Sequence, residues 1–374
     1  MKGKGGWIAV SAHVVTKEQL KHSLDDWYRS MLHKQVLKAT NLKREVDEQI
    51  NIFKTKESTE LQDSNLLLYY YLLDFRYKLL TNSTCISLDE LETLNKKSID
   101  NGLSYYYHFY KGIHNTMLAN YMEASEHFGK AEQLLMHVPD EIEKAEFNYK
   151  LGVLYYHIHQ PLLTIKHALK AKELYEKRSS YELNQLECDV TLGLASITLN
   201  QFEQAEEYFI KSLESAKKQN HENLVMLIRY NLGFLYAKQN LSETAIRYLT
   251  DVYNNEKPYH KTLFLLAQEH YKINQIEKAK TFLEEGIKIA DTEYIHHFRI
   301  IQALYDVEYK QNLESVIIAG ISYFETQQLY GFIEEYAGYL AKRFYNEENF
   351  EKASKYFNTA YEARQTLKQR SALK

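Results

Sequence analysis

The sequence predicts an all-α fold, in which an N-terminal helical bundle is followed by a right-handed solenoid of helical hairpins. Only three prolines and thirteen glycines interrupt 374 residues, and no stretch alternates apolar and polar residues as a half-buried strand does. A Leu-Gly pair recurs about every forty residues, at Leu151-Gly152, Leu192-Gly193 and Leu232-Gly233. We interpret each pair as opening the first helix of a hairpin.

The second helices of the hairpins carry a small residue followed four positions later by a bulky one. The pairs are Ala124/Phe128, Ala205/Phe209, Ala245/Leu249, Ala279/Leu283 and Ala353/Phe357, and small residues follow again at Ala131, Ser212, Gly286 and Ala360. Residues four apart share one helix face, so small positions let paired helices approach and bulky ones fill the gap. This order is typical of tetratricopeptide (TPR) repeats, although the repeat length here varies between about 34 and 40 residues.

The N-terminal part predicts a separate bundle. Thr16 and Gln19 form a capping box for a first helix, a second helix begins near Asn41, and a strongly apolar helix spans residues 66–80. A further helix is expected at 88–96, and turn-forming residues at 100–102 end the bundle. We therefore divide the chain into a flexible arm (1–15), a helical bundle (16–100) and a TPR-like repeat domain (101–374).

Composition excludes several functional classes. The two cysteines, Cys85 and Cys188, are too few for a disulfide framework, which favours a reducing cytoplasmic compartment. A net charge of −4 gives no basic surface for direct nucleic-acid binding, and no apolar run is long enough for a membrane span. The acidic groups at 25–26 and 45–48 read as solvated helix faces.

Motifs for cofactor or metal chemistry are missing from the sequence. There is no Gly-rich phosphate loop and no HExxH motif, and helical geometry separates the ring nitrogens of His157 and His159. We expect no cofactor and no metal. The 32 tyrosines admit two interpretations, helix packing or a recognition surface.

A solenoid of hairpins presents a concave groove lined by its first helices. When the Leu-Gly pairs are aligned, Lys150, Thr191 and Asn231 occupy the same position, one residue before the leucine. An asparagine side chain donates and accepts hydrogen bonds, so it can satisfy the backbone of an extended peptide. Asn231 is therefore a candidate peptide ligand; the alternative is that it caps a loop or bonds across the helix pair.

Three motifs stand out along the chain: LDDWY at 24–28, LLLYYYLLDFR at 66–76, and IEKAEF at 142–147 followed by Tyr155-Tyr156. Together they resemble the Rap family of Bacillus-type quorum-sensing regulators. The resemblance covers residues 20–367 and implies an effector-binding N-terminal bundle joined to a peptide-binding TPR domain. It also implies inhibition by a short Phr-type pentapeptide.

Two outputs follow from that resemblance. Some members of the family bind a response regulator or transcriptional regulator, or act as an antirepressor on a mobile element, whereas others are aspartyl-phosphate phosphatases. In the phosphatases a glutamine orients the attacking water, but Ser64 occupies its position here and Gln62 lies two residues earlier. Gln62 is thus the candidate catalytic residue only if the chain is a phosphatase.

The peptide site departs from the family pattern as well. The position that usually provides an acid for a basic peptide side chain is Thr198, and Asp189 is the candidate to compensate. With Asn231 and Lys150, these residues complete the predicted peptide site. A homodimer through an exposed terminal repeat face is compatible with this architecture.

Overall fold

A computed structural model of the chain describes residues 15–56, 64–81, 101–257 and 259–371. In these ranges the secondary structure is helical, without a strand. The α-helices are α1 (Lys17–Leu32), α2 (Val36–Lys56), α3 (Ser64–Leu80), α4 (Asn101–Met117), α5 (Tyr121–Leu134), α6 (Glu141–His157), α7 (Pro161–Glu176), α8 (Glu182–Thr198), α9 (Phe202–Lys218), α10 (Glu222–Lys238), α11 (Ser242–Asn255), α12 (His260–Lys272), α13 (Ile276–Ile289), α14 (Thr292–Tyr305), α15 (Leu313–Thr326), α16 (Tyr330–Asn346) and α17 (Phe350–Ser371). The predicted all-α class is confirmed.

The chain folds into two compact units. Unit 1 comprises Met1–His114 with Lys130–His137, and unit 2 comprises Asn115–Gly129 with Val138–Lys374. The predicted helix at 88–96 and Cys85 lie outside the described residues, as does nearly all of the predicted arm.

Unit 1 begins with the predicted capping box. The Thr16 hydroxyl accepts a hydrogen bond from the Gln19 backbone N–H at 3.2 Å, and the Gln19 side chain accepts one from the Thr16 N–H at 3.0 Å. Two orphan donors at the helix start are thereby satisfied. Trp27 is fully buried among apolar side chains of α1, α2 and α3.

Two predictions for unit 1 were wrong in detail. Helix α2 begins at Val36, five residues before the expected Asn41, because a tight turn with a left-handed Lys34 ends α1 and restarts the helix at once.

The acidic faces are also not simply solvated. Tyr69 donates a hydrogen bond to Asp25 at 3.1 Å, and Tyr70 donates one to Asp47 at 2.8 Å, so tyrosine hydroxyls tie α3 to α1 and α2.

Unit 2 is a succession of helical hairpins whose internal turns repeat one backbone geometry. In most first helices the residue after the C-cap has positive φ, as in Asn200 (59°), Asn240 (58°) and Asn274 (60°). Asparagine enters this left-handed region more easily than most residues, which explains its recurrence there. The following N–H then bonds back to the helix end, as Gln201 does to the Ser196 carbonyl at 2.8 Å.

The Leu-Gly pairs do not open helices, contrary to our interpretation. Gly152, Gly193 and Gly233 lie past the middle of α6, α8 and α10, where the second helix of the same hairpin crosses. A Cβ on Gly193 would lie 2.6 Å from Cε1 of Phe209. The glycine therefore makes room for the bulky residue of the second helix.

The last repeat departs from the predicted packing. Phe209 and Leu249 are fully buried, but the equivalent Phe357 of α17 is 51% exposed. Phe350 and Tyr361 of the same helix are exposed too. Within the described residues no further hairpin covers this face of α17.

Candidate functional site

The first helices of the hairpins in unit 2 are α6, α8, α10, α12, α14 and α16. They place Lys150, Thr191 and Asn231 at one register, as the sequence predicts. Thr198 and Lys238 lie seven residues after Thr191 and Asn231, which is about two turns along the same face. His157 has the same place on α6.

Asn231 is the most informative of the predicted site residues. Its side chain is only 2% exposed, and its Nδ2 atom has no hydrogen-bond acceptor among the described residues. An unpaired buried donor costs about 1–3 kcal/mol, so such atoms call for an explanation. A ligand that offers a carbonyl oxygen would provide the missing acceptor.

The other predicted site residues have protein partners already. Asp189 is buried, and its Oδ1 accepts a 2.6 Å hydrogen bond from Lys172 Nζ. That contact and the negative charge of Asp189 outweigh desolvation and raise the pKa of Lys172. Thr198 donates to the Leu194 carbonyl at 3.2 Å, and Lys150 Nζ lies 5.2 Å from the ring centroid of Tyr149.

Partly exposed aromatic residues recur on the first helices of unit 2. Tyr156, Tyr230 and Tyr294 each keep part of their surface accessible, although desolvation raises the pKa of all three hydroxyls. We interpret surface that is accessible yet poorly hydrated as the concave face that a solenoid of hairpins provides. We call this space the lumen. His157 and Lys261 are likewise partly accessible and strongly desolvated.

Contacts between early and late repeats close the lumen. The Tyr121 hydroxyl donates a hydrogen bond to Glu293 Oε2 at 3.3 Å, joining residues 172 positions apart. The His159 ring meets the Phe332 ring edge to face at 4.9 Å, and Lys238 Nζ lies 3.9 Å from Glu335 Oε2. These contacts bring α5, the turn after α6, and α10 to α14 and α16.

Burial sets the charge of the groups around the lumen. Desolvation lowers the pKa of His157 and of His297 to about 3, so both imidazoles are neutral near pH 7. Desolvation raises the pKa of Glu293 to about 7, against the opposing effect of the Lys261 charge. Desolvation lowers the pKa of Lys261, but interactions with Tyr259, Glu293 and Asp291 raise it more, so the pKa lies above its ordinary value and Lys261 stays cationic.

Sequence reasoning missed most of these lumen residues. Tyr156 was noticed only as part of a motif, and Glu293, Lys261 and His297 carry no local pattern that separates them from ordinary helix residues. The sequence signal that could have found them is their position in the repeat. Tyrosines and histidines recur on the first helices, at places where a purely structural helix would expose lysine and glutamate.

The candidate phosphatase residue is not described by the structure. Gln62 lies outside the described residues, and Ser64 is the first residue of α3. In the described part of the chain, no helix is both long and apolar enough to cross a membrane.

Comparison with known proteins defines the class first. A TPR family model matches residues 190–219 and 260–293, so this is a TPR protein with an additional N-terminal helical unit. The N-terminal region 14–82 matches the family model described as response regulator aspartate phosphatase H, N terminal. This match and the curated relatives make the chain similar to the Rap family.

Two curated relatives come from Bacillus subtilis (strain 168). Regulatory protein RapF is 27% identical over 384 residues, covering 95% of this chain and 96% of its own. Response regulator aspartate phosphatase I is 28% identical over 365 residues, covering 92% and 90%. A crystal structure of a Rap protein complexed with competence and sporulation factor superposes with a TM-score of 0.81 at 25% identity, covering 95% of this chain and 99% of that one.

Proposed function

We propose that this protein is a peptide-regulated regulator, in which a short extended peptide occupies the lumen and controls the binding of a response regulator or transcriptional regulator. The observation that carries the proposal is the buried Asn231 side chain, whose amide nitrogen has no hydrogen-bond partner among the described residues. The similarity to a Rap protein solved with a bound signalling factor supports it.

The chemistry of Asn231 suits a peptide backbone. Its Nδ2 can donate to a peptide carbonyl, and its Oδ1 can accept from a peptide N–H, so it recognises the main chain whatever the side chains are. The aromatic rings around the lumen supply apolar surface on both sides of an extended chain. Thr198 and Lys150 are proposed to contact the same peptide, whereas Asp189 is held by Lys172 and is a weaker candidate.

The contacts that close the lumen supply a physical route for regulation. A peptide shifts the protein towards the arrangement that it binds more tightly, and a difference of about 3 kcal/mol changes the ratio of two states more than a hundredfold. Tyr121–Glu293 and Lys238–Glu335 are contacts that a peptide in the lumen would favour or prevent. We place this switch in the cytoplasm, where a response regulator or repressor resides.

The first test is recovery of the partner. The purified protein, immobilised and mixed with native cell extract, should retain a regulator that is released when a matching pentapeptide is added. The Asn231→Ala variant should retain the regulator in the presence of peptide. Release from the variant at the same peptide concentration as from wild type would contradict the proposal.

The second candidate function is aspartyl-phosphate phosphatase activity, favoured by the match of residues 14–82 to a phosphatase N-terminal family model. The residue proposed to position water is Gln62, since an amide orients a nucleophile without becoming charged. A phosphorylated receiver domain recovered as the partner should then lose phosphate faster with wild type than with Gln62→Ala. Equal rates for the two proteins would leave binding as the sole output.

A further inference from the structure

A cleft of about 510 Å³ lies between the second helices α9 and α11 of unit 2. Arg229 of α10 also lines it, and this residue precedes Asn231 by two positions. Two residues rotate a side chain by about 200° around an α-helix, so Arg229 and Asn231 point to nearly opposite sides of α10. The cleft is therefore separate from the lumen, and we call it the outer cleft.

The lining of the outer cleft is positively charged. Lys217, Arg229 and Arg247 supply three cations and Asp251 supplies one carboxylate, which leaves a net charge of +2. The chain as a whole is acidic, with a net charge of −4. A local excess of cations on an acidic protein attracts an anionic ligand.

The carboxylate of the outer cleft orients one of these cations. Asp251 Oδ2 accepts a hydrogen bond from Arg229 Nη1, and Asp251 Oδ1 accepts one from Asn255 Nδ2 at 3.3 Å. Both carboxylate oxygens are thus engaged by the protein. A guanidinium has five N–H donors, so Arg229 keeps donors for a ligand while Asp251 fixes its position.

The second guanidinium is oriented by aromatic rings. Arg247 Cζ lies 5.4 Å from the centroid of the Tyr248 ring, and that ring is stacked on Tyr236 with centroids 5.5 Å apart. The ring face attracts the cation and holds it beside the cleft. Among the described residues, neither Arg247 nor Lys217 has a carboxylate oxygen within 4 Å.

The repeat architecture does not require a cation at position 229. Three residues before the leucine of successive Leu-Gly pairs stand Asn148, Asp189 and Arg229. Asn148 Oδ1 is 2.9 Å from His167 Nδ1, and Asp189 accepts from Lys172, so each of the three contacts a second helix. A neutral, negative or positive side chain can make this contact, and the positive charge is therefore a property of the outer cleft.

The donors of the outer cleft suit a phosphate group better than a carboxylate. Besides the three cations, the Thr250 hydroxyl and the Asn254 amide line it. A phosphate monoester carries a charge of about −1.5 to −2 at pH 7 and three strong acceptor oxygens, which matches both the net charge and the number of donors. Arginine also binds phosphate through two parallel hydrogen bonds.

We propose that the outer cleft binds a phosphate group, either the free ion or a phosphorylated side chain of another protein. This site goes beyond the proposed peptide function and does not depend on it. Three probes test it by calorimetric titration of the full-length protein at constant ionic strength. They are inorganic phosphate, a blocked glycine–phosphoserine–glycine tripeptide, and the same tripeptide with glutamate in place of phosphoserine.

At least one phosphate probe should bind to wild type about tenfold more tightly than the glutamate tripeptide, because the cleft has more donors than a carboxylate can use. Tighter binding of the phosphoserine tripeptide than of inorganic phosphate identifies a protein side chain as the source. Equal or weaker binding of the tripeptide identifies the free ion.

The Lys217→Gln, Arg247→Gln double variant locates the site. It removes two cations at exposed positions and keeps the contact between Arg229 and Asp251, so it should stay folded and bind phosphate at least about tenfold more weakly. Lys218→Gln is the matched control, because Lys218 is exposed and does not line the cleft. It should bind as wild type does.

Three results would overturn the proposal. The first is that neither phosphate probe binds to wild type, and the second is that the glutamate tripeptide binds as tightly as the phosphate probes. The third is that the double variant keeps wild-type affinity or loses no more than the Lys218→Gln control, which would place the binding elsewhere.

Discussion

The hairpin cores and the lumen use the same first helices of unit 2 with opposite chemistry. Where a first helix meets its second helix, Gly193 or Gly233 contacts a fully buried Phe209 or Leu249, and the contact is apolar on both sides. Where the first helices face the lumen, they present Asn231, whose amide nitrogen has no partner among the described residues, and Glu293, which accepts one hydrogen bond from Tyr121. The comparison teaches that stability is concentrated in the hairpin cores, whereas the lumen retains unsatisfied polar groups suited to a ligand.

The largest expected effect comes from the bulky residue of the hairpin core. Phe209→Ala should lower the free energy of unfolding by about 3–5 kcal/mol, because it leaves a cavity beside Gly193. Phe357→Ala, at the same pattern position in the last repeat, should change it by less than about 1 kcal/mol because the ring is 51% exposed. Denaturant unfolding of both variants checks the pair, and equal losses would show that the last repeat is covered in solution.

In the lumen, by contrast, we expect a substitution to stabilise the protein, and the residue is Glu293. Its pKa of about 7 lies above that of an unfolded glutamate, so the folded state holds the extra proton and stability falls as pH rises between about 4.5 and 7. Glu293→Gln removes this penalty and should be more stable than wild type at pH 8, by on the order of 3 kcal/mol, with no difference near pH 4.

Thermal or urea unfolding of the two proteins across this pH range provides the measurement. Taking the difference between variant and wild type cancels the opposite acid effect of His157 and His297, whose lowered pKa values make stability fall below pH 6.5. A pH-independent difference would mean that Glu293 is ionised and satisfied in the folded state.

Glycine substitutions give a smaller effect with a clear sign. Gly193→Ala places a Cβ 2.6 Å from the buried Phe209 ring and should destabilise by about 1–3 kcal/mol. Gly129→Ala, on an exposed face of α5 where a Cβ meets nothing within 4 Å, should stabilise by up to about 1 kcal/mol through helix propensity. Midpoints of urea unfolding that shift in the same direction for both variants would contradict this account of Gly193.

The hairpin cores could be predicted from sequence because their rule is local and repetitive. The spacing of Ala205 and Phe209 alone indicates a packing face. The Leu-Gly pairs, however, mark the point where the second helix crosses each first helix, and not the start of the first helix. The capping box at Thr16 was predictable for the same reason, since all its atoms lie within four residues.

The lumen could be predicted only in part. Asn231 was reachable from repeat alignment, but Glu293 and Tyr121 acquire their meaning from a contact across 172 residues that depends on how the superhelix curves. The alternative that Asn231 bonds across the helix pair finds no support for its amide nitrogen, which lacks a partner among the described residues. Asp189 could be proposed from the sequence, but only the structure shows that it is already hydrogen-bonded to Lys172.

The central claim is that the lumen holds an extended peptide through Asn231. Calorimetric titration of the pentapeptide that releases the regulator into wild type, Asn231→Ala and the exposed control Asn254→Ala tests it most directly. We expect binding to wild type and the control, and a loss of at least about tenfold in affinity for Asn231→Ala, which remains folded. Unchanged affinity of Asn231→Ala would contradict the claim.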